Sequence, residues 1–166
     1  DESEIKPYFQ LERMIEAAAP PDVPTRRLLH MALANYAAGA ILMPYQPFLA
    51  AAERHRYDLD RLCAEFGTST EQVAHRLTTL NRTGARGVPF FMLRVDAAGN
   101  ISKRFAGEAF PFSRYGGTCP RWNLHGAFQI PGRVVTQLVE TPDGQRFFTV
   151  GRTVERSVRL APREDS

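Results

Sequence analysis

Residues 81–96 read Asn81-Arg82-Thr83-Gly84-Ala85-Arg86-Gly87-Val88-Pro89-Phe90-Phe91-Met92-Leu93-Arg94-Val95-Asp96, and the chain changes character inside them. The first seven residues are a loop rich in glycine and arginine. Val88 to Asp96 is almost continuously apolar, the pattern of a strand covered on both faces. Upstream the texture is helical; downstream, turn residues separate short β-like runs. Helices first and strands after predict an α+β domain. Its expected parts are a helical subdomain over residues 1–81 and a β-rich subdomain, mainly an antiparallel sheet, over residues 82–166.

Working back from the loop, the helices can be placed by their ends. Ile5 to Ala18 is a mixed run closed by Ala19-Pro20-Pro21. Thr25 is the expected N-cap of a second helix, Arg26 to Met43, which stops at Pro44. Leu28, Met31, Asn35 and Leu42 fall on one side of it. Most other positions are apolar or Ala, so burial almost all round is expected, with a partner for Asn35. A third helix spans Gln46 to Arg56, and a fourth Asp58 to Phe66 with Asp58 as cap. The fifth opens with the capping box Ser69-Thr70-Glu71-Gln72.

Working forward, Asp96-Ala97-Ala98-Gly99-Asn100 is a turn and Ile101 to Ala106 the returning strand. A second hairpin runs Val134 to Glu140, Pro142-Asp143-Gly144, then Arg146 to Val154. The turn has a mechanism in Pro's fixed φ, the Asp side chain's hydrogen bonding and a glycine that accepts positive φ. Phe110 to Pro131 reads as irregular.

Composition narrows the class. The chain has 166 residues, 43% hydrophobic and 23% charged, ordinary for a globular protein. A core burying roughly 70% of the unfolded surface is within reach at this length. Cys63 and Cys119 are too few for a secreted disulfide scaffold, which points to the cytoplasm. No apolar run reaches the ~18 residues of a membrane helix, and an acidic N-terminus is unlike a signal peptide. Beginning at Asp1, the chain reads as part of something longer. The net charge of +3 hides an asymmetry: Arg82 to Arg133 holds eight Lys/Arg against Asp96 and Glu108, so this segment is +6 and its flanks −3. Such a stretch either attracts an anionic partner or solubilises a Phe-rich sheet.

Several constellations could carry chemistry. Leu59 to Leu80 has a helix-turn-helix pattern, with Cys63 inward and Gly67 in the turn. Its second helix would expose Thr70, Glu71, His75, Arg76 and Thr79, poor in phosphate contacts; a plain helical corner is the competing reading. His30, His55, His75 and His125 lack the H-E-x-x-H spacing of a zinc site. There is no C-x-x-C, nucleophile elbow or Walker loop, so no catalytic residue is assigned. His125, three residues after Trp122, could stack on or hydrogen-bond a ligand, or be structural. Lys103 shares its strand face with Ile101 and Phe105, and Arg152 with Phe148, Val150 and Val154. A cation facing an apolar layer must meet an anion or snorkel to water. Phe90, Phe91, Phe112 and Trp122 beside these cations suit a nucleotide base with its phosphates, or a plain core.

Longer stretches are recognisable. They are Ala34-Asn35-Tyr36-Ala37-Ala38-Gly39-Ala40-Ile41-Leu42-Met43-Pro44-Tyr45, His75 to Leu80, Gly84 to Phe91, Arg94-Val95-Asp96, Gly99 to Arg104, Gly116 to Trp122, and Arg152-Thr153-Val154. Together, over residues 23–154, the chain resembles the C-terminal effector domain of the short-chain fatty acyl transcriptional regulators. Members of that family include mycobacterial regulators of the methylcitrate and glyoxylate cycles.

The resemblance implies a cytoplasmic, non-enzymatic regulator that meets promoter DNA through an N-terminal domain outside this chain, and that is homo-oligomeric. It implies a degenerate metallopeptidase-like helical unit; active peptidases of that type carry a Glu ligand before the Ala-Asn-x-x-Ala stretch, where this chain has Leu33. It implies sensing of coenzyme A or a short-chain acyl-CoA such as propionyl-CoA. Arg86, Lys103, Arg104 and Arg121 are the residues expected at its phosphates, Trp122 or Phe112 at the adenine, and Phe90 and Phe91 along the acyl or pantetheine channel. His125 and Arg152 complete the candidate set. Relatives carry a Cys where this chain has Ala74 and end in a Cys-rich run suited to a 4Fe-4S cluster. Here residues 152–166 hold no cysteine, and Cys119 would be a ligand only in a longer protein. The alternatives are a DNA-contacting domain at Leu59 to Leu80 and a vestigial zinc peptidase-like domain.

Overall fold

The computed structural model describes residues 11–106 and 123–154. Helical residues 11–18 (α1) precede α2 (Val23–Leu42), α3 (Tyr45–Arg54), α4 (Leu59–Phe66) and α5 (Thr70–Leu77). Then come β1 (Phe91–Val95), β2 (Ile101–Ala106), the short α6 (Asn123–Ala127), β3 (Val135–Glu140) and β4 (Arg146–Gly151). The order is α then β, as the loop at residues 81–87 predicts. None of the described helices is long and apolar enough to cross a membrane.

Local chemistry sets the helix ends. Asp22, rather than Thr25, caps α2: its carboxylate accepts the Thr25 N–H at 2.7 Å. Pro24 explains the difference, because proline is well tolerated in a helix's first turn and poorly further in. Asp58 caps α4 through the Arg61 N–H, at 3.1 Å. Gly67 ends α4 at φ 61°, a left-handed cap that suits glycine. The capping box of α5 forms in both directions, Ser69 N–H to Gln72 Oε1 at 2.8 Å and Gln72 N–H to Ser69 Oγ at 3.3 Å.

The chain divides into two compact units. The first holds α1 to α5 and the loop after them. Its core is Met43, Phe48, Leu49, Ala51, Ala52, Leu62, Val73, Leu77 and Leu80. Phe48 meets Phe66 edge-to-face, 5.2 Å between centroids. Glu65 of α4 accepts from Arg54 at 2.6 and 2.8 Å and pairs with His55 at 2.6 Å, linking α3 to α4. The expectation that α2 is buried almost all round is wrong: none of its residues is buried. Short α3, α4 and α5 build the core among themselves, and Asn35 faces solvent.

The second unit holds α6 and the antiparallel ribbon β3–β4, in which Leu138 stands opposite Phe148 and Thr136 opposite Val150. The Pro142-Asp143-Gly144 turn forms as expected, with Gly144 at φ 83°. β1 is shorter than Val88 to Asp96. Pro89 has no N–H to pair, and the Val88 N–H goes to the Tyr57 hydroxyl instead of a strand. Its residues are half-buried or exposed, not covered on both faces.

The ribbon also reverses the expected parity. Val135, Gln137, Val139, Phe147 and Thr149 form the more covered face, while Leu138, Phe148 and Val150 are exposed. Asn123 explains why polar residues turn inward. Its side-chain amide donates to the Val135 and Thr149 carbonyls at 3.0 and 3.4 Å. Its Oδ1 accepts from Thr149 Oγ1 at 3.2 Å, and its main-chain N–H donates to Gln137 Oε1 at 2.9 Å.

Candidate functional site

The arginine-bearing loop of the first unit is the best-defined feature among the expected site residues. Tyr45, at the start of α3, donates its hydroxyl proton to the Ala85 carbonyl at 2.8 Å and accepts the Arg82 N–H at 2.9 Å. The Arg82 guanidinium lies 4.3 Å from the Tyr45 ring centroid, a cation–π contact. Gly87 returns its N–H to the Leu80 carbonyl at 2.9 Å. A Cβ there would stand 3.1 Å from Leu80 Cβ and 3.3 Å from Leu49 Cδ1, so the close approach needs glycine. Farther on, Tyr57 accepts the Val88 N–H at 3.0 Å and stacks on Phe90 at 5.4 Å. Two tyrosines from one helix region therefore hold both ends of the loop, while the Arg82 and Arg86 side chains remain exposed.

The expected residues fall as follows. Arg86 is exposed on this loop, and Phe90 is half-buried against the helical core. Phe91 lies half-buried in β1. Lys103 and Arg104 are exposed on β2. Arg152 is exposed just past β4. The apolar layer expected beneath Arg152 is itself the outer face: Phe148, Val150 and Val154 are exposed with it. His125 is half-buried in α6. Phe112, Cys119, Arg121 and Trp122 lie outside the described residues.

The helix-turn-helix reading loses its key group. Arg76 is buried: its Nε–H donates to the Met43 carbonyl at 2.9 Å and Nη1 to Thr79 Oγ1 at 3.1 Å. His75 is half-buried with its ring 4.1 Å from that of Phe105. The expected exposed recognition face, with Arg76 as its one cation, does not form.

The described residues contain no group of three or more His, Cys, Asp or Glu able to hold an ion. The Cys63 thiol is half-buried between α4 and α5 and donates to Thr70 Oγ1 at 3.8 Å.

Tyr57 and Asn123 are not singled out by the sequence, and Tyr45 stands there only within a longer motif. The sequence signal for Tyr45 is its place one residue after Pro44; for Asn123 there is none, because its partners lie 12 to 26 residues away.

Two family models match the chain. Residues 79–165 match the family model described as "Short-chain fatty acyl coenzyme A regulator, C-terminal". Residues 22–78 match "IrrE N-terminal-like domain". The chain is 52% identical over 146 residues to a "Propionyl-CoA carboxylase regulator" of Cereibacter sphaeroides, covering 88% of the chain and 32% of that protein. It is 52% identical over 128 residues to "HTH-type transcriptional regulator PrpR" of Mycobacterium tuberculosis (77% and 26%). With "HTH-type transcriptional regulator RamB" of the same organism it shares 49% over 131 residues (79% and 28%). A solved "Mycobacterium tuberculosis transcriptional regulator" superposes with TM-score 0.81 and 44% identity, covering 89% of this chain and 45% of that one. The chain thus spans about a third or less of the curated relatives it matches.

Proposed function

This chain belongs to the short-chain fatty acyl coenzyme A regulator family, and from that premise we propose that it is the effector-sensing part of a transcriptional regulator of propionate and short-chain fatty acid metabolism. Its ligand is coenzyme A or a short-chain acyl-CoA such as propionyl-CoA, and it performs no catalytic step. The longer protein works in the cytoplasm and meets promoter DNA outside this chain.

One observation supports the ligand reading most directly. The loop carrying Arg82 and Arg86 is held by Tyr45 at both its Arg82 N–H and its Ala85 carbonyl, with both guanidiniums left exposed. Fixing the backbone beforehand lowers the ordering cost of binding a polyanion, and guanidinium matches phosphate geometry in a bidentate fashion. Arg86, Lys103, Arg104 and Arg121 are the proposed phosphate contacts. Trp122 or Phe112 would stack the adenine, and Phe90 and Phe91 would line the acyl or pantetheine channel. His125 and Arg152 are secondary candidates.

Titration calorimetry with CoA and propionyl-CoA tests the proposal. Binding heat and a raised melting temperature are expected, both weakening as salt screens the phosphates. No heat and no thermal shift with either ligand would overturn it.

A further inference from the structure

We propose that Arg82 and Arg86, set around Tyr45 beside the buried charge of Arg76, form a diphosphate-binding site complete within the first unit. The site binds the pyrophosphate of its ligand whatever acyl group that ligand carries. The ligand's identity rests on the reading above; the site rests on the residues themselves. Arg82 is not among the cations expected at the phosphates.

Uncompensated charge is the first observation. Residues 72–95 hold four arginines, Arg76, Arg82, Arg86 and Arg94, and no Asp or Glu. Elsewhere carboxylates answer arginines: Glu12 pairs with Arg26, Glu65 with Arg54 and Glu140 with Arg146. Among the described residues no carboxylate pairs with Arg76, Arg82 or Arg86. Arg76 is only 5% exposed, and its bonds go to a carbonyl and a hydroxyl, both neutral. A buried cation ordinarily meets an anion; here neutral dipoles solvate the guanidinium and leave its charge whole. Arg76 and Arg82 both lie against the Tyr45 ring, 5.8 and 4.3 Å from its centroid. Two like charges on one ring repel, and a bound anion relieves that repulsion.

Orientation is the second observation. An exposed arginine without a carboxylate is not in itself a site, and Arg27 on α2 is another. Arg82 differs in being held by both its main chain and its side chain. Its N–H donates to the Tyr45 hydroxyl at 2.9 Å, and its guanidinium lies over the same ring. Contact through the flat face leaves the N–H edge of the guanidinium unspent, and the Arg82 side chain makes no hydrogen bond within the described residues. The Ala85 N–H closes a turn onto the Arg82 carbonyl at 3.0 Å, with Gly84 at φ 79°. Arg86 follows directly on the far side of that turn, and the Gly87 N–H fixes the residue after it to the Leu80 carbonyl. Both exposed arginines therefore stand on a main chain fixed before any ligand arrives.

The chemistry selects the ligand class. Two forked guanidiniums beside a third, buried charge favour a multiply charged anion with several acceptor oxygens over a single carboxylate. A diphosphate offers both. The turn itself, Arg82-Thr83-Gly84-Ala85-Arg86, carries no large apolar side chain. It reads charge, and the acyl chain must be read by other residues.

Calorimetric titration of the full chain with inorganic pyrophosphate, CoA and propionyl-CoA, at several salt concentrations, tests this. The wild type should bind pyrophosphate, and pyrophosphate should compete with CoA. Arg82→Gln and Arg86→Gln should each weaken all three ligands by a similar factor, roughly tenfold, the order of one charged hydrogen-bonding group. The dependence on salt should become shallower as a charge is removed, with the far-UV spectrum unchanged. Arg27→Gln removes the same charge about 24 Å along α2 from Met43 and should leave every affinity within about twofold of wild type, since a distant exposed charge is screened. No binding of pyrophosphate by the wild type would overturn the site, whatever CoA does. CoA binding that survives Arg82→Gln together with Arg86→Gln would overturn the site and leave the function proposed above standing. Pyrophosphate bound through Arg82 with no binding of CoA would uphold the site and overturn that function. An equal loss from Arg27→Gln would reduce the effect to general charge attraction and overturn the site. A loss confined to propionyl-CoA would overturn its indifference to the acyl group.

Discussion

Arg76 on α5 donates its Nε–H to the main-chain carbonyl of Met43, the C-cap residue of α2, at 2.9 Å. A helix leaves its last carbonyls unpaired, and a guanidinium there satisfies one of them while opposing the negative end of the helix dipole. Arg76 is buried, its Nη1 reaches Thr79 Oγ1, and its guanidinium lies 5.8 Å from the Tyr45 ring. One side chain thus ties the end of α2 to α5 beneath the loop.

Arg76→Met should lower stability by about 2–3 kcal/mol, the range for removing a partner from hydrogen bonds to a charged group. That corresponds to a fall in melting temperature of roughly 5–10 °C for a chain of this size. Arg76→Lys should recover little, because an ammonium cannot reproduce the divergent Nε–H and Nη1 donors. A thermal melt of the three proteins checks both statements.

Tyr45→Phe keeps the ring and its stacking with Arg82 but removes the hydroxyl that holds Arg82 N–H and Ala85 carbonyl. A loss of about 1–2 kcal/mol is expected, with faster amide exchange at Arg82 as the local signature. If the loop serves the proposed ligand, CoA affinity should drop several-fold.

The Asp22 carboxyl is held below the usual carboxylate range, chiefly by hydrogen bonding from the Thr25 side chain and then from its N–H. A lowered folded-state pKa means its contribution is fully present above the ordinary carboxylate value and disappears as pH falls through the lowered one. Asp22→Ala should therefore reduce helicity at the start of α2 near neutral pH. The difference from wild type should close in acid. Circular dichroism of both proteins from pH 7 downward measures it.

Asn123→Ala should loosen the ribbon. It removes the side-chain amide's bonds to the Val135 and Thr149 carbonyls and the acceptor of Thr149 Oγ1 on the covered face, while the main-chain bond to Gln137 Oε1 stays. The expected cost is about 2 kcal/mol. Protection from hydrogen exchange should fall over Val135–Glu140 and Arg146–Gly151 and stay unchanged in α3, α4 and α5.

Family membership and the α-then-β order were both legible in the chain, in the long motifs from Ala34 to Val154 and in the loop at residues 81–87. The site was legible only as a list of residue types. Arg86, Lys103, Arg104 and Arg152 could be picked as cations, and they are exposed. Nothing in the local pattern distinguished Arg86, on a braced loop, from Arg76, which is sealed inside. Lys and Arg carry both a long apolar stem and a charge, so the type alone is compatible with either fate.

Caps and turns are readable from the amino-acid order because their hydrogen bonds close within a few residues: Asp58 to Arg61, Ser69 to Gln72, the glycine turn at Gly144. Which face of an element is covered is another matter. The ribbon β3–β4 offers Val135, Val139 and Phe147 on one face and Leu138, Phe148 and Val150 on the other, so its alternation has no preferred sign. Asn123, arriving from a distant part of the chain with donors and an acceptor to satisfy, turns Gln137 and Thr149 inward. α2 has apolar residues on most sides, and the packing of α3, α4 and α5 around Met43 leaves many of them outside. Both outcomes rest on pairings between residues far apart in sequence, whose free energy exists only once the chain has brought them together.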